Sequence, residues 1–556
     1  MAVSTSMAAA VRIVALGGLG EIGLNLMAIE CAGRAILIDC GVMFPDEPAL
    51  GMGTFIPEMG WLERSRVGVE AVVLTHAHED HIGALPHLLR RFNVPVYGTD
   101  VTLAFTRRRL IEANFDDTAD LRTIAPRQIF EAGPFTIEAI RVTHSTPNSV
   151  ALAIRTPAGI IIHSGDFKID ETPVDGELFD RERFAQLGEE GVALLLSDST
   201  NVERPGRSGS ESSLKPVLRD LTSRARGRFF LSAFSSHLHR VRQVVEVSRE
   251  FGRRIVPLGR RMAESVRLGL ETGQLPFPQA MFVAPNEAEF LESNRLSYLA
   301  SGSQGEPHSA LAKLATDSHP RLRIEHGDLI VLSSRFIPGN ERTINTLVNR
   351  LYRLGAEVVY DAVAPVHVSG HASQDELAEL IVLTRPRWFI PIHGEYRHLS
   401  RHMALAIAAG IPEEDCFLLE DGDSLVLNGD DARRGATVEA GRVIVEGVDE
   451  GDPAVVGERR ILARDGTVTA IVVVSSKSGR IVAGPDLVSR GLVSGDGTST
   501  HMRRVKEELT RRLNAIGGPL RANEPRVKEE IVRTIRHYFS DELGKRPLVI
   551  PYVTEV

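Results

Sequence analysis

The chain has 556 residues, of which 43% are hydrophobic and 25% charged, the composition of an ordinary soluble protein. At roughly 150 residues per domain, this length predicts about three domains. No apolar run approaches the ~20 residues of a membrane span, and the N-terminus lacks the basic and apolar stretches of a secretion signal, so we expect neither membrane insertion nor secretion. The net charge of −9 counts mildly against a generally basic nucleic-acid-binding surface, but it does not exclude a locally basic cleft.

Cysteine usage predicts the compartment. The three cysteines, Cys31, Cys40 and Cys416, show no C-x-x-C spacing and are too few for a disulfide framework. We therefore expect a protein of the reducing cytoplasm.

The first 200 residues alternate short apolar runs with turns and helical segments. Residues 11–40 contain three short β-rich runs, and further strand-like runs lie at 71–75, 137–143, 159–163 and 193–197. Helical patterns at 82–91 and 99–113 separate several of them. Strands interleaved with helices predict a layered α/β architecture.

A change of character after residue 206 indicates an inserted domain. A loop rich in Gly and Ser is followed by helical segments at 212–226 and 237–251 and by strand-like runs at 228–234, 254–258 and 328–333. The β-rich character of the first region then returns at 358–361 and 387–392. We therefore interpret 11–206 and 358–432 as two parts of one domain, interrupted by an insert at 207–357.

The last part of the chain predicts a separate tail domain. The stretch 433–466, rich in Gly, Arg, Asp and Glu, is interpreted as a linker to a domain at 467–556. That domain begins with the strand T-V-T-A-I-V-V-V-S, continues with helices near 499–516 and 524–540, and ends with the strand P-L-V-I-P-Y-V. This order is typical of a small α/β unit.

The strongest chemical signal is the string T-H-A-H-E-D-H, directly after an apolar strand. Imidazole and carboxylate are ligands that divalent zinc prefers. On a strand, His76 and His78 would face the same way and could reach one ion. If a helix follows, Asp80 and His81 could face a second ion, whereas Glu79 is interpreted as a solvent-facing spacer.

One six-residue window cannot complete two metal sites, so further ligands must come from distant segments. His144, Asp166 and His393 each follow an apolar run at a strand-to-loop junction, where side chains from neighbouring strands can converge. A lone histidine at such a place is usually an ordinary solvated side chain. Beside the dense cluster, these three residues become predicted ligands.

A glycine pattern near the N-terminus suggests a different cofactor. Gly18, Gly20 and Gly23 match the spacing of a dinucleotide-binding loop, and Asp39 lies near the expected distance. That fingerprint requires a helix after the last glycine, whereas the residues here predict two strands around an Ala-Gly turn. We therefore expect no dinucleotide site and assign Asp39 to hydrogen-bonding support of the metal loop.

The predicted ligands resemble the motifs of the metallo-β-lactamase superfamily. The H-x-H-x-D-H motif is matched by His76, His78, Asp80 and His81, the third-motif histidine by His144, and the bridging aspartate by Asp166. That superfamily contains lactamases, thioesterases, lactonases and nucleases, so this resemblance leaves the function open.

The insert narrows the resemblance to the β-CASP nucleases. Asp198 in L-L-S-D-S-T-N, His371 in H-V-S-G-H-A and His393 in P-I-H-G-E-Y are similar to the three further motifs of that group. Within it, L-G-G-L-G-E-I-G-L-N, S-D-S-T-N-V-E-R-P-G, G-S-Q-G-E-P, P-G-N-E and H-V-S-G-H-A-S-Q-D-E-L are similar to the bacterial ribonuclease J family. The resemblance covers essentially the whole chain. It implies an αββα metallo-β-lactamase sandwich with an inserted α/β β-CASP domain and a small C-terminal α/β domain.

The family resemblance also implies an activity and a metal. It implies a zinc-dependent ribonuclease that cuts single-stranded RNA internally and from the 5′ end, often preferring a 5′-monophosphate, gives 5′-phosphate products, and serves RNA maturation and mRNA decay. Two zinc ions per chain are expected, although manganese or magnesium could support activity. One ion is assigned to His76, His78 and His144, the other to Asp80, His81 and His393, with Asp166 bridging.

Catalytic and RNA-binding roles follow from the same resemblance. The predicted catalytic residues are Asp80, Asp198 and His371, the last as general acid for the leaving 3′ oxygen. His367, Ser369 and His371 are predicted to hold a substrate phosphate, although His367 or Ser369 could instead pack structurally. In the insert, Ser235, Ser236 and His239 are candidates for contacting the RNA end.

Assembly is predicted only broadly. The tail is expected to mediate self-association into a homodimer or homotetramer, although its S-S-K-S-G-R stretch could equally be a solvated loop. Partner proteins of an RNA-degradation complex are compatible with the resemblance, and no membrane partner is expected.

Three positions depart from the family pattern. Asn148 stands where Asp is usual, His237 where Asn is usual, and His308 where an apolar residue is common. The first could alter hydrogen bonding near His144, and the second could change contacts to RNA. None of them removes a predicted ligand.

Three alternative functions compete with this interpretation. A hydrolase of small esters or lactams would use the same metals, but the insert and the H-V-S-G-H-A string argue against it. A non-catalytic subunit would have lost ligands, whereas all seven ligand positions are present. A DNA-directed nuclease is not distinguished by the sequence, because the RNA preference depends on the resemblance.

Overall fold

A computed structural model describes residues 10–44, 53–115, 118–336, 340–446, 449–451, 453–478, 480–492, 497–516 and 523–556. The described residues form two compact units, a large one within residues 10–443 and a small one that contains Gly53 and the described residues from Ile444 onward. Within the described residues, no helix is long and apolar enough to cross a membrane. The three cysteines are buried and unpaired.

An eight-stranded mixed sheet forms one layer of the large unit. Its strands, in spatial order, are β22 (Asp431–Arg434), β21 (Ser424–Asn428), β1 (Val11–Gly17), β3 (Leu26–Cys31), β4 (Arg34–Ile38), β6 (Gly68–Val73), β7 (Val96–Gly98) and β8 (Leu121–Thr123). β3 and β4 are antiparallel neighbours joined by a tight turn after Cys31. The two strands predicted around the Ala-Gly turn are therefore confirmed, in place of the helix that a dinucleotide-binding loop requires.

A six-stranded sheet packs face to face against the first. Its strands, in spatial order, are β19 (Trp388–Ile392), β13 (Val192–Asp198), β12 (Gly159–His163), β11 (Val150–Thr156), β10 (Phe135–Arg141) and β9 (Ile129–Ala132). The core between the sheets consists of alternate apolar residues from both, such as Ile13, Ile36, Leu152 and Leu194. Inward-facing positions two residues apart are what the pleat of a strand dictates.

Helices cover the outer faces of the two sheets. α1 (Gly60–Arg64), α2 (Glu79–Ile82), α3 (Leu85–Arg91) and α4 (Asp100–Glu112) lie in the chain between strands of the eight-stranded sheet, and α4 contacts β7 and β8. α5 (Arg181–Glu190), α12 (Gln374–Thr384) and α13 (Tyr396–Ala408) cover the six-stranded sheet, with Phe184 and Leu377 in that core. The predicted αββα sandwich is confirmed.

The insert is built on a fully parallel five-stranded sheet. Its strands, in spatial order, are β15 (Arg254–Leu258), β16 (Leu296–Ala300), β14 (Phe229–Ser232), β17 (Leu329–Leu332) and β18 (Glu357–Val359). Its helices are α6 (Leu214–Arg224), α7 (Leu238–Glu250), α8 (Arg260–Glu271), α9 (Pro285–Ala288), α10 (Ala310–Ala315) and α11 (Glu341–Arg353). Each face of the sheet has its own apolar core.

The sheet of the insert extends further along the chain than predicted. The apolar residues at 358–361 were expected to resume the first domain, but β18 pairs in parallel with β17 of the insert's sheet. A three-residue strand carries no periodicity that could assign it to one sheet rather than another. The insert's sheet therefore extends past the predicted limit of 357, while the remaining domain limits stay predictions.

Three short strands lie outside the main sheets or at the edge of the large unit. β2 (Leu19–Gly20) pairs in parallel with β20 (Gly394–Glu395), which joins the N-terminal glycine loop to the residues that follow His393. β5 (Thr54–Pro57) precedes α1.

The small unit contains more regular structure than expected. Its elements are β23 (Arg442–Glu446), β24 (Asp449–Glu450), α14 (Pro453–Asp465), β25 (Thr467–Val474), β26 (Ile481–Arg490), α15 (Gly497–Ala515), α16 (Glu524–Leu543) and β27 (Leu548–Glu555). The predicted strand–helix–helix–strand order is confirmed, but β26 was missed. Within the stretch predicted as a linker, 433–466, the structure contains α14, which occupies 13 residues.

Candidate metal centre and active site

The histidine cluster lies in a loop and in the first turn of a helix. β6 ends at Val73, so His76 and His78 are not on a strand, and the argument that a strand aims them the same way is wrong. His78 is extended (φ −74°, ψ 149°) and immediately precedes α2, whose first turn contains Asp80 and His81. The two halves of the motif diverge because the backbone changes from extended to helical between them.

Backbone hydrogen bonds fix this loop against the segment after β4. The N–H of Cys40 donates to the carbonyl of His81 (2.7 Å), and the N–H of Val42 donates to the carbonyl of Glu79 (3.1 Å). Between them, a side chain on Gly41 would place its Cβ 1.6 Å from the carbonyl oxygen of Asp80. Only glycine permits this approach, so the position of Asp80 depends on Gly41.

Four side chains converge on one point beneath the loop. The Nδ1 of His78 lies 3.1 Å from the Nε2 of His76 and 3.2 Å from the Nε2 of His144. The Oδ2 of Asp166 lies 3.5 Å from the Nε2 of His76 and 3.9 Å from that of His144. The ligand atoms of these four residues all lie within 4.8 Å of one another.

A second group shares the same aspartate. The Oδ2 of Asp80 lies 3.7 Å from the Nε2 of His81 and 3.5 Å from the Nε2 of His393. The Nε2 of His81 lies 3.3 Å from the Oδ2 of Asp166, the oxygen that also faces the first group. The structure thus brings all seven predicted ligands together, with Asp166 between the two groups.

The polar atoms of this cluster fit cations. Among the described residues, the Oδ2 of Asp166 and the Nε2 of His393 are buried without a hydrogen-bond partner. A buried polar atom without a partner costs free energy, so such atoms mark a place for a ligand. The donor set of histidine nitrogens and carboxylate oxygens is the one that zinc prefers. The residues present therefore fit a metal centre.

The electrostatics of the cluster agree with this fit. Burial, together with the neighbouring His81, lowers the pKa of His78 to about 4, despite the opposing effect of Asp80 and Asp166, so its imidazole is neutral and can be a ligand. Burial would also lower the pKa of His81, but the carboxylates of Asp166, Asp80 and Asp39 raise it to about 10. The surplus of buried carboxylate charge thus attracts positive charge, either protons or metal ions.

Asp39 supports the ligands as predicted. Its carboxylate accepts hydrogen bonds from the backbone N–H and the Oγ1–H of Thr75, both at 2.8 Å, and lies 2.8 Å from the Nδ1 of His81. With its Nδ1 proton donated to Asp39, His81 presents the Nε2 lone pair to the metal centre.

Two neighbours of the cluster were not anticipated. The amide nitrogen of Asn25 donates to the carbonyl of Asp80 (3.0 Å) and lies 3.1 Å from the Nε2 of His81. Glu79 is not a solvent-facing spacer, because its largely buried carboxylate pairs with Arg108 at 3.2 Å. For Asn25, the one signal in the sequence was its place in the string L-G-G-L-G-E-I-G-L-N.

A histidine–aspartate pair lies beside the metal ligands. The Nδ1 of His371 lies 2.8 Å from the Oδ2 of Asp198 and 3.9 Å from the Oδ2 of Asp166. Thr200 holds the other oxygen of Asp198 through its N–H (2.9 Å) and its hydroxyl (2.8 Å). Burial would lower the pKa of His371, but the Asp198 carboxylate outweighs it and raises the pKa above its ordinary range. His371 is therefore suited to donate a proton.

The loop that carries His371 also orients a ligand. The Nδ1–H of His144 donates to the carbonyl oxygen of Gly370 at 2.7 Å, which leaves its Nε2 for the metal centre. A Cβ on Gly370 would lie 2.9 Å from the Cε1 of His144. In the same loop, Ser369 accepts the N–H of His371 (3.1 Å), and the Nδ1 of His367 is buried without a partner among the described residues.

The predicted RNA contacts in the insert differ in burial. Ser235 and Ser236 are half-buried in the turn between β14 and α7. His239 is buried, its Nε2 lies 3.7 Å from the Oδ2 of Asp175, and it lines a cavity together with His144.

The three departures from the family pattern have different surroundings. Asn148 has a positive φ of 57° and donates to Asp100 at 2.7 Å, which is a bond that a carboxylate could not donate. His237 is buried beside Arg240, and its Nδ1 has no partner among the described residues. His308 is exposed.

Family models match most of the chain. They are the metallo-β-lactamase superfamily (residues 24–216), the ribonuclease J β-CASP domain (226–351), the RNA specificity domain of zinc-dependent metallo-hydrolases (355–418) and the ribonuclease J C-terminal domain (454–556).

Curated relatives match over nearly the full length. Ribonuclease J of Synechocystis sp. is 36% identical over 97% of this chain and 86% of its own, and that of Mycolicibacterium smegmatis is 37% identical over 98% and 97%. A crystal structure of a protein of unknown function from Enterococcus faecalis covers 75% of this chain and 100% of its own, with a TM-score of 0.50 and 17% identity, and so supports the fold alone. The chain belongs to the ribonuclease J family of metal-dependent nucleases.

Proposed function

We propose that the protein is a two-zinc ribonuclease that hydrolyses single-stranded RNA and leaves 5′-phosphate ends. The observation that carries the proposal is the arrangement of two ligand groups around Asp166, with the His371–Asp198 pair beside them. His76, His78 and His144 would hold one ion, Asp80, His81 and His393 the other, with Asp166 between them. Manganese or magnesium could replace zinc, because the ligand set tolerates more than one ion.

When bound, the metal ions would supply Lewis-acid chemistry: they would lower the pKa of water and neutralise charge on the phosphoryl oxygens. His371 supplies the proton that the leaving 3′ oxygen needs. As water releases a proton to the solvent and forms a bond to phosphorus, the bond from phosphorus to the 3′ oxygen breaks, and the proton of His371 moves to that oxygen. Asp198 stabilises the protonated imidazole until this transfer. The products are a 3′-hydroxyl and a 5′-phosphate.

The same site would serve internal cleavage and 5′-to-3′ degradation. The proposed phosphate contacts are His367 and Ser369, in the loop that also carries His371. The Nδ1 of His367 is buried without a partner within the described residues, which leaves a polar atom available to a substrate. In the insert, Ser235, Ser236 and His239 remain proposed contacts to the RNA end, and the burial of His239 makes it the weakest of them.

The C-terminal domain offers a surface for self-association. One face of the sheet formed by β25, β26 and β27 packs on the domain's core, whereas Ile471, Val488, Ile550 and Tyr552 are exposed. Ile471 pairs with Tyr552 across the sheet. A row of exposed apolar side chains is typical of a protein interface. We propose that this face joins copies of the chain into a homodimer or homotetramer, acting in the cytoplasm in RNA maturation and mRNA decay.

The proposed function is tested with end-labelled single-stranded RNA that carries either a 5′-monophosphate or a 5′-triphosphate. Controls contain a chelator or the Asp80→Ala/His81→Ala variant. We expect mononucleotides and 5′-phosphorylated fragments, produced faster from the monophosphate and absent from both controls. Intact RNA with every metal, alongside turnover of a thioester or lactone, would replace the ribonuclease with a small-molecule hydrolase.

A further inference from the structure

Charge is distributed unevenly along the chain. Residues 454–556 contain 18 Lys and Arg against 12 Asp and Glu, a formal charge of +6, although the whole chain carries −9. The rest of the chain is therefore strongly acidic, at −15. A basic domain in an otherwise acidic protein attracts polyanions through long-range electrostatics.

Three arginines of this domain line one cleft. It is open, has a volume of about 820 Å³ including the solvent at its mouth, and is lined by Ile461, Arg464, Arg536, His537, Ser540 and Arg546. Arg536 and Ser540 lie four residues apart on α16 and therefore face the same way. Three arginines from α14, α16 and the segment before β27 thus surround one space.

Two of these arginines keep their charge available. Arg464 is bonded to the buried carboxylate of Asp465, at 2.9 Å. His537 pairs with Asp541 at 3.3 Å. Arg536 and Arg546 are exposed, and neither takes part in an ion pair with another residue of the described part of this domain. Their guanidinium groups are planar donors that match phosphate oxygens.

We propose that this cleft binds the phosphodiester backbone of single-stranded RNA, separately from the metal centre. No acidic residue of the described chain lines the cleft, and the one ring among its lining residues, the imidazole of His537, pairs with Asp541. The cleft therefore contacts phosphates and does not read sequence. This inference rests on the proposed function in one respect: it takes RNA to be the polyanion that the cleft binds.

The test measures the affinity of the full chain for RNA in the presence of a chelator, which prevents hydrolysis of the RNA during the measurement. Fluorescence anisotropy would compare a labelled RNA of about 30 nucleotides with one of about 5 nucleotides, over a range of salt concentrations. For Arg536→Gln/Arg546→Gln we expect about 10-fold weaker binding of the long RNA, and a salt dependence that is shallower by about 0.7 for each phosphate that the variant no longer neutralises. Binding of the short RNA should change less than about 2-fold.

The matched control is Arg503→Gln/Arg526→Gln. It removes two exposed arginines of the same domain that do not line the cleft, so the net charge of the two variants is identical. We expect the control to bind long RNA within about 2-fold of the unchanged protein. Equal weakening in both variants would show that the domain attracts RNA by net charge alone, and would overturn the cleft. Arg536→Lys/Arg546→Lys should restore most of the affinity.

Two further outcomes distinguish RNA from another occupant of the cleft, and the cleft from the proposed function. If the Gln variant alters self-association in sedimentation while its RNA affinity stays within about 2-fold, the cleft is a protein contact and the proposal is wrong. If the cleft binds RNA but the proposed function is wrong, the result is different. Binding then depends on RNA length and on the cleft arginines, but the RNA is not cleaved when metal is added.

Discussion

The metal centre and the C-terminal cleft use charge in opposite ways. At the centre, Asp39 and Asp166 are buried, and their carboxylate oxygens lie close to histidine nitrogens. In the cleft, Arg536 and Arg546 are exposed, and among the described residues no carboxylate forms an ion pair with their guanidinium groups. Buried charges act over a few ångströms at high energy, whereas exposed ones act over about 10 Å and are screened by salt.

This difference predicts how each region responds to change. Substitutions at the centre should abolish chemistry by large factors that salt does not alter. Substitutions in the C-terminal domain should change association by small factors, and in the cleft those factors should depend on salt.

The largest effect is expected for Asp166→Ala. Because Asp166 lies between both ligand groups, its loss should remove bound metal and lower the rate of RNA cleavage by at least about 10⁴-fold. Metal content by mass spectrometry and cleavage of a short RNA measure this. Asp120→Ala, which removes an exposed carboxylate of the same domain, should leave both unchanged. A metal-loaded, active Asp166→Ala protein would show that this oxygen is not a ligand.

The next largest effect concerns the acid. His371→Ala should lower the rate by about 10²–10⁴-fold, while metal content stays normal. Asp198 raises the pKa of His371, so the protonated form persists to higher pH than in a free histidine. In Asp198→Asn that support is lost, and activity should disappear at a lower pH on the alkaline side. An unmoved alkaline limb in the pH–rate profile would exclude His371 as the proton donor.

Asp39→Asn tests the support of a ligand rather than the ligand itself. It removes the carboxylate that orients His81, so metal affinity should fall by about 10–100-fold. Activity at saturating metal should largely recover, which separates a positioning role from a catalytic one. A loss that excess zinc does not restore would contradict this assignment. Titration with a chromophoric chelator measures the affinity.

The smallest effect is expected at the exposed face of the C-terminal sheet. Ile550→Glu/Tyr552→Glu should weaken self-association by about 10-fold or more, because it places charges on an apolar contact. Cleavage of a short RNA by each chain should change less than about 2-fold. Phe290→Glu, at an exposed apolar residue of the insert, is the control. Unchanged sedimentation of the double variant would move the interface elsewhere.

The sequence predicted which side chains converge at the centre better than it predicted the local geometry around them. His144, Asp166 and His393 could be chosen because each follows a run of apolar residues, and strand ends meet at one edge of a sheet. The conformation of the histidine loop could not be predicted, because hydrogen bonds from Cys40 and Val42 decide where α2 begins. Those contacts depend on sheet order, which the chain does not encode locally.

The same limit explains the errors in the fold. The sandwich and the C-terminal order follow from the spacing of apolar residues along longer elements. β18 has three residues and α14 lies in a stretch of mixed charge, so neither shows a pattern strong enough to assign. Asn25 was missed for a related reason: its side chain acts on residues more than 50 positions away.

The bond between His144 and Gly370 has a consequence for biosynthesis. The two residues are separated by 226 positions, and the whole insert is made between them. A ribosome that has produced the first six proposed ligands has not yet produced the carbonyl that orients one of them, or His393. A nascent chain therefore contains an unfinished centre while it is still tethered beside its own messenger RNA. The order of synthesis itself delays activity until His393 has been made.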